Sequence, residues 1–164
     1  MYLKLDDFEV PMKLVYQLVN DFKKYPERVA LQQALTLDDT RPKMGYKGVY
    51  GLYGSEEWWA NIGNGNMPRR YVSGVIVALY HAGQDEEDDI NSFDLSLDDG
   101  STKSLGIYCD NDGDIDLFRL GCRVDIFSVF DPLKYEQPPV EGIEFAEIVV
   151  EIAVSIAPVT PTIM

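Results

Sequence analysis

The sequence has little of the chemistry on which most active sites depend. It holds a single histidine, His81, and two cysteines, Cys109 and Cys122, among 164 residues. One histidine excludes a histidine-rich metal site and the two-histidine motif of zinc metalloproteases. Two cysteines are too few for a small disulfide-stabilised scaffold, and neither has the cationic or glycine-rich surroundings that would activate a thiol. We expect both thiols to be buried and structural.

Long hydrophobic runs are also missing. No apolar stretch approaches the roughly 20 residues that a membrane-spanning helix needs, and the first residues lack the basic and apolar regions of a signal peptide. The loop that contains Gly63 and Gly65 lacks the Lys-Ser/Thr pair that completes a phosphate-binding loop. These absences predict a cytoplasmic protein with no cofactor, no metal and no membrane partner.

Basic residues are scarce in the second half of the chain. The net charge is −14, and residues 83–164 contain nineteen acidic but only four basic residues, whereas residues 1–82 are nearly neutral. Nucleic acids are bound largely through Lys and Arg, so direct binding of nucleic acid is disfavoured. The charge favours a basic protein as partner, because opposite charges accelerate encounter.

What the chain does contain is enough apolar material for a folded core. Apolar residues make up 46% of the sequence and aromatic residues 12%, and a compact domain typically has roughly 100–150 residues. We predict a single domain over residues 1–164. Within it we expect a mainly helical segment at 1–44, a β-rich body at 45–157 and a flexible tail at 158–164.

Helical spacing characterises the first forty residues. Apolar residues follow Pro11 at intervals of three and four, at Leu14, Val15, Leu18, Val19 and Phe22. This spacing places one apolar stripe on a helix that begins near Pro11 and ends near Lys24. Residues 27–37 are expected to form a second helix.

From residue 46 onward the pattern changes to that of strands. Alternating or continuous apolar residues predict strands over residues 46–53, 71–81, 92–97, 102–109, 115–120, 121–130 and 145–156. Residues 56–62 fit a short helix or an edge strand. The sequences that end at Gly100 and at Gly113 are typical of tight turns and predict two β-hairpins. The expected fold is α+β, with N-terminal helices packed on a largely antiparallel sheet of about six to eight strands. A β-sandwich with a helical N-terminal extension is the alternative.

Two acidic clusters are candidates for partner binding. The first consists of five adjacent carboxylates, Asp85, Glu86, Glu87, Asp88 and Asp89, and the second of four alternating ones, Asp110, Asp112, Asp114 and Asp116. The second cluster resembles a calcium loop in composition only, because an EF-hand needs glycine where Ile115 stands and glutamate where Gly121 stands. We predict no metal site. Each cluster is either a solvated loop or a contact surface for a basic protein.

Adjacent tryptophans, Trp58 and Trp59, are the most distinctive local feature. Successive side chains of a strand point in opposite directions, so one ring is expected to be partly exposed and available to a partner. The alternative is that the pair covers the core. Glu56 and Glu57 precede the rings and are the best candidates for acid–base chemistry, because an aromatic neighbour could desolvate one of them.

Three functional hypotheses remain from these patterns. The preferred one is a non-enzymatic acidic binding protein, an immunity-like or antitoxin-like antagonist of a basic protein such as a toxin. The second is an interaction or scaffold subunit, which includes a homo-oligomer. The third is an enzyme with an unrecognised carboxylate site.

Overall fold

The computed structural model describes residues 2–5, 10–83, 89–134 and 145–159. The strands in these ranges are β1 (Met12–Gln17), β2 (Arg69–Tyr80), β3 (Ser92–Leu97), β4 (Thr102–Gly106), β5 (Arg123–Pro132) and β6 (Phe145–Ser155). The helices are α1 (Leu18–Lys24), α2 (Pro26–Leu37) and α3 (Glu56–Gly63), together with a 3-10 helix at Asp112–Leu117.

All six strands belong to one antiparallel sheet with the order β1-β6-β5-β2-β3-β4. The chain's first strand lies beside its last, with Met12 opposite Ser155. Strands β2, β3 and β4 form a meander, and Gly100 adopts a φ of 86° in the turn between β3 and β4. The predicted α+β fold with an antiparallel sheet is confirmed.

The chain divides into two compact units. The first unit comprises Met1–Gln17, Tyr71–Phe127 and Val150–Met164, and the second comprises Leu18–Arg70 and Ser128–Val149. Strands β2, β5 and β6 contribute residues to both. The core of the first unit contains Val15, Ile76, Phe93, Leu95 and Phe127, and that of the second contains Trp58, Ile62, Met67 and Val129. The single domain predicted from the chain length stays a prediction.

The first predicted helix is wrong over its N-terminal half. Residues Met12–Gln17 form strand β1, and only Leu18–Lys24 is helical. Over a stretch this short, the same apolar residues fit both the spacing of a helix and the alternation of a strand. Pairing with the apolar strand β6 decides in favour of the strand. The second predicted helix is confirmed as α2, with Pro26 in its first turn.

Two predicted strands are also absent from the described part of the chain. Residues 46–53 form turns, with one isolated bridge from Tyr46 to Leu133, because Gly48 and Gly51 adopt positive φ values of 79° and 96°. The 3-10 helix Asp112–Leu117 replaces both the hairpin turn predicted at Gly113 and the first half of the strand predicted at 115–120, and residues 118–120 are not in a strand either. Residues 56–62, which fit a short helix or an edge strand, belong to helix α3. Ser55 caps this helix, because its Oγ accepts a hydrogen bond from the Trp58 amide at 3.2 Å. No helix among the described residues is long and apolar enough to cross a membrane.

Candidate functional site

The first acidic cluster lies mostly outside the described residues. Asp85, Glu86, Glu87 and Asp88 fall in the undescribed range, and Asp89 is exposed at its end. The backbone oxygen of Asp89 lies 2.7 Å from His81 Nδ1. The structure therefore places one of these five carboxylates at the surface of the first unit.

The second cluster forms an exposed acidic segment, residues 110–116, in the first unit. Asp110, Asp112 and Asp116 are exposed. The Asp110 amide donates to the Val15 oxygen at 2.8 Å, and the Gln17 amide donates to Asp110 Oδ2 at 3.1 Å. The acidic segment is thus hydrogen-bonded to edge strand β1, so the backbone that carries its exposed carboxylates is held in place.

Asp114 differs from its neighbours because its side chain turns inward. Its carboxylate is only 9% exposed and lies 2.6 Å from Lys13 Nζ, across to β1. A buried carboxylate requires such a partner. Asp114 therefore anchors the acidic segment and is not part of its outer surface. In the described part of the chain, no group of three or more His, Cys, Asp or Glu side chains is arranged to hold a metal ion.

The negative field of the acidic segment acts on a neighbouring thiol. The pKa of Cys109 is raised from 9.0 to about 11, first by burial and then by the charges of Asp114, Asp110 and Asp112. Both effects disfavour the thiolate. The sequence predicts two buried thiols, but Cys109 is only half-buried, and partial burial together with these charges keeps it protonated. Cys122 is fully buried.

This pKa predicts slow thiol–disulfide exchange at Cys109. In a Cys122→Ala variant, the thiol should react with a disulfide reagent near neutral pH roughly tenfold more slowly than an unperturbed cysteine, since the loss of thiolate outweighs the gain in nucleophilicity. Asp112→Asn removes one of the repelling charges and should raise the rate. A native rate equal to that of the unfolded chain, measured as colour release over time, would contradict the prediction.

The tryptophan pair sits on helix α3 of the second unit. Consecutive side chains of a helix diverge by about 100°, so only one of the two rings enters the core. Trp58 is fully buried, and its Nε1 donates to Asp131 Oδ2 at 3.0 Å. Trp59 is half-buried and packs edge-on against Phe22, with ring centroids 5.6 Å apart. Trp59 also lines a surface groove of about 270 Å³.

Asp131 is a buried carboxyl group that the sequence did not single out. It is fully buried, and among the described residues its Oδ1 has no hydrogen-bond partner. Burial raises the pKa of Asp131, which the bond from Trp58 only partly offsets. The pKa of Tyr46 is raised by burial and by the nearby Asp131. In sequence, Asp131 reads as the polar end of a strand before Pro132, so no local signal reveals its burial.

Neither Glu56 nor Glu57 is desolvated by the tryptophan rings, as the acid–base hypothesis requires of one of them. Both are exposed in the first turn of α3. Carboxylates at this position are stabilised by the positive end of the helix dipole. The aromatic rings next to them therefore provide no dry pocket for acid–base chemistry.

The two units differ strongly in charge. The residues of the first unit include seventeen acidic and five basic side chains, a net of −12, whereas the second unit has eleven and nine, a net of −2. Fourteen of the nineteen acidic residues in the second half of the sequence lie in the first unit. Lys13 belongs to this unit, but it is paired with Asp114.

Comparison with known proteins identifies a family. The profile of the family described as immunity protein RhsI2 matches residues 12–155. This range begins with the first residue of β1 and ends with the last residue of β6, so it contains every strand of the sheet. Comparison with curated proteins finds no match. The chain therefore belongs to the immunity protein RhsI2 family and is an immunity protein, the antagonist of a toxin.

Proposed function

We propose that this immunity protein neutralises its toxin by binding a basic surface of the toxin through the acidic first unit. The observation that carries the proposal is the charge difference between the units, −12 against −2. A concentrated field of one sign attracts the oppositely charged partner and orients it during the encounter. A toxin with a positive cleft, of the kind that binds anionic substrates, is the partner that suits this field.

The acidic segment is the best-defined part of the proposed contact surface. Asp112 and Asp116 are exposed, and the backbone that carries them is held against β1 through Asp110 and Asp114. A surface that is ordered before binding loses little conformational entropy in the complex. Trp58 and Asp114 are not included in the surface, because both side chains are buried.

The cluster at residues 85–89 is a further candidate of the first unit on its sequence, since five adjacent carboxylates add to the negative charge of that unit. Trp59 of the second unit is a separate candidate contact, because a partly exposed tryptophan is a favoured interface residue. We also propose that the protein acts in the cytoplasm, in agreement with its two free thiols.

The salt dependence of association tests this proposal. The partner for the measurement is the toxin whose lethality is abolished by co-expression of this chain. The association rate constant, measured by stopped flow, should fall by about tenfold or more between low and physiological ionic strength, because salt screens electrostatic steering. The dissociation rate should change less. An association rate that does not depend on salt would show that the acidic unit does not guide binding.

A further inference from the structure

Strand β6 carries a buried carboxylate, Glu151, in the first unit. Glu151 is only 2% exposed and lies opposite Gln17 of β1 in the antiparallel ladder. A carboxylate in such a place requires hydrogen-bond donors, because burial removes its hydrating water. Two other parts of the first unit supply these donors, so Glu151 connects them.

The first donors belong to an arm formed by residues 2–5. The main-chain amides of Tyr2 and Leu3 both donate to Glu151 Oε1, at 2.7 and 2.8 Å. Leu3 is 4% exposed, and the Tyr2 ring packs on the Phe127 ring with centroids 5.0 Å apart. Because both amides converge on one oxygen of an ionised group, the arm fixes the orientation of the carboxylate.

The second oxygen of Glu151 is directed to the end of edge strand β1. Gln17 Nε2 donates to Glu151 Oε2 at 3.3 Å, and the Gln17 main-chain amide donates to Asp110 Oδ2 at 3.1 Å. Gln17 therefore contacts the buried carboxylate with its side chain and the acidic segment with its backbone. A continuous chain of hydrogen bonds leads from the arm, through Glu151 and Gln17, to Asp110.

A bulge in β1 makes this support important for the acidic segment. The register of β1 against β6 shifts between Leu14 and Tyr16, so Val15 is an extra residue of the strand. The Val15 oxygen accepts from the Asp110 amide at 2.8 Å. A bulge locally disrupts the pairing of its strand. The docking of Asp110 thus depends on how firmly the end of β1 beyond the bulge is held, and Gln17 is the residue at that end.

We propose that Glu151 is a positioning residue for the acidic segment and that the arm keeps its carboxylate in place. The carboxylate holds Gln17, and Gln17 together with Val15 presents a fixed strand edge to Asp110. The consequence for toxin binding rests on the function proposed above. A contact surface that is ordered before binding loses less conformational entropy in the complex, so Glu151 raises affinity without touching the toxin.

Exchanging the side chains of Gln17 and Glu151 tests this role. Gln17→Glu places a second carboxylate against Glu151 and should push the end of β1 away, because like charges repel. Glu151→Gln should have little effect, since its amide oxygen still accepts from the arm and the Gln17 amide can turn over to accept from its nitrogen. In the double variant an amide again faces a carboxylate. Gln17→Glu should therefore be harmful alone and nearly neutral together with Glu151→Gln.

The reactivity of Cys109 reports the order of the acidic segment without any toxin. Cys109 is half-buried and directly precedes Asp110. In a Cys122→Ala background, Gln17→Glu should raise the rate of thiol–disulfide exchange by up to about tenfold, whereas its added negative charge alone would lower the rate. The double variant should return to the slow rate. Gln32→Glu adds the same charge in the second unit and should leave the rate unchanged.

Gln17→Ala provides a second, milder variant. It removes the donor to Glu151 without adding a charge, and it should raise the exchange rate in the same direction by a smaller factor. Far-UV circular dichroism verifies that each variant is folded. Unchanged thiol exchange in the folded Gln17→Glu and Gln17→Ala variants would overturn the inference. Equal effects of Gln17→Glu with and without Glu151→Gln would also overturn it.

Affinity for the toxin is the second measurement. Gln17→Glu makes the first unit more acidic, so electrostatic attraction alone would strengthen the complex. The positioning role predicts the opposite, a dissociation constant raised by about tenfold and restored in the double variant. If the thiol rate shows the coupling but the affinity does not change, the positioning role stands and the acidic segment is rejected as the toxin contact.

Discussion

Replacing Trp58 with alanine is expected to lower the free energy of unfolding by about 3–5 kcal/mol, a large part of the stability of a typical domain. The Trp58 ring is fully buried and contacts the rings of Phe22 and Tyr53, with centroid separations of 6.0 and 5.1 Å. Its removal leaves a cavity in the core of the second unit and also deprives Asp131 of its hydrogen-bond donor. Urea unfolding followed by circular dichroism measures the effect.

Trp59→Ala is the matched control for this substitution. It removes an identical side chain from the next position of α3, but the Trp59 ring is only half-buried. We expect a loss of no more than about 2 kcal/mol, because less apolar surface returns to water. Equal losses for both variants would contradict the assignment of Trp58 as the buried ring.

Asp131→Asn tests the role of the buried carboxyl group without creating the cavity that Trp58→Ala leaves. Asparagine retains an acceptor for Trp58 Nε1 but cannot ionise. The raised pKa of Asp131 means that the folded state holds its proton more tightly than the unfolded state, so stability declines as pH rises from 3.8 through the folded-state pKa. The variant should lack this decline. Its stability relative to the wild type should therefore increase over that pH range.

Reversing two charges of the acidic segment is expected to slow association with the toxin by about tenfold or more. The change is Asp112→Lys with Asp116→Lys, which leaves the bonds of Asp110 and Asp114 to β1 intact. Both side chains are exposed, so the fold should tolerate the substitutions. The lysines convert local attraction of a basic surface into repulsion. Surface plasmon resonance or stopped flow gives the rate constants.

Glu56→Lys with Glu57→Lys provides the control for total charge. This pair changes the net charge by the same amount, but it lies on α3 of the second unit, which has a net charge of only −2. We expect a decrease of only a few-fold, from weaker long-range attraction. Equal slowing by both pairs would mean that total charge, and not the acidic segment, governs binding.

Local patterns were sufficient for much of the architecture. The 11-residue alternation of β6, the hairpin turn at Gly100 and helix α2 all depend on neighbours in sequence, and each was predicted correctly. The preference for an immunity-like antagonist came from charge, which composition determines directly. The family match over residues 12–155 confirms that function.

Other features depended on contacts between distant residues. β1 is a strand because β6, more than a hundred residues later, lies beside it, and no pattern within residues 12–17 distinguishes this from a helix. The buried Asp114 is paired with Lys13, and the Nε1 of the buried Trp58 donates to Asp131. The acidic segment thus contains both a buried, paired carboxylate and exposed ones. Of the two adjacent tryptophans, only one is buried.

Composition and local periodicity by themselves determined the class of fold, most of the strands and the acidic character of this immunity protein. Only the tertiary structure decided which carboxylates face the solvent and which tryptophan lies in the core. The physical reason is that charge and periodicity belong to the local sequence, whereas burial is set by whichever distant segment packs against a residue.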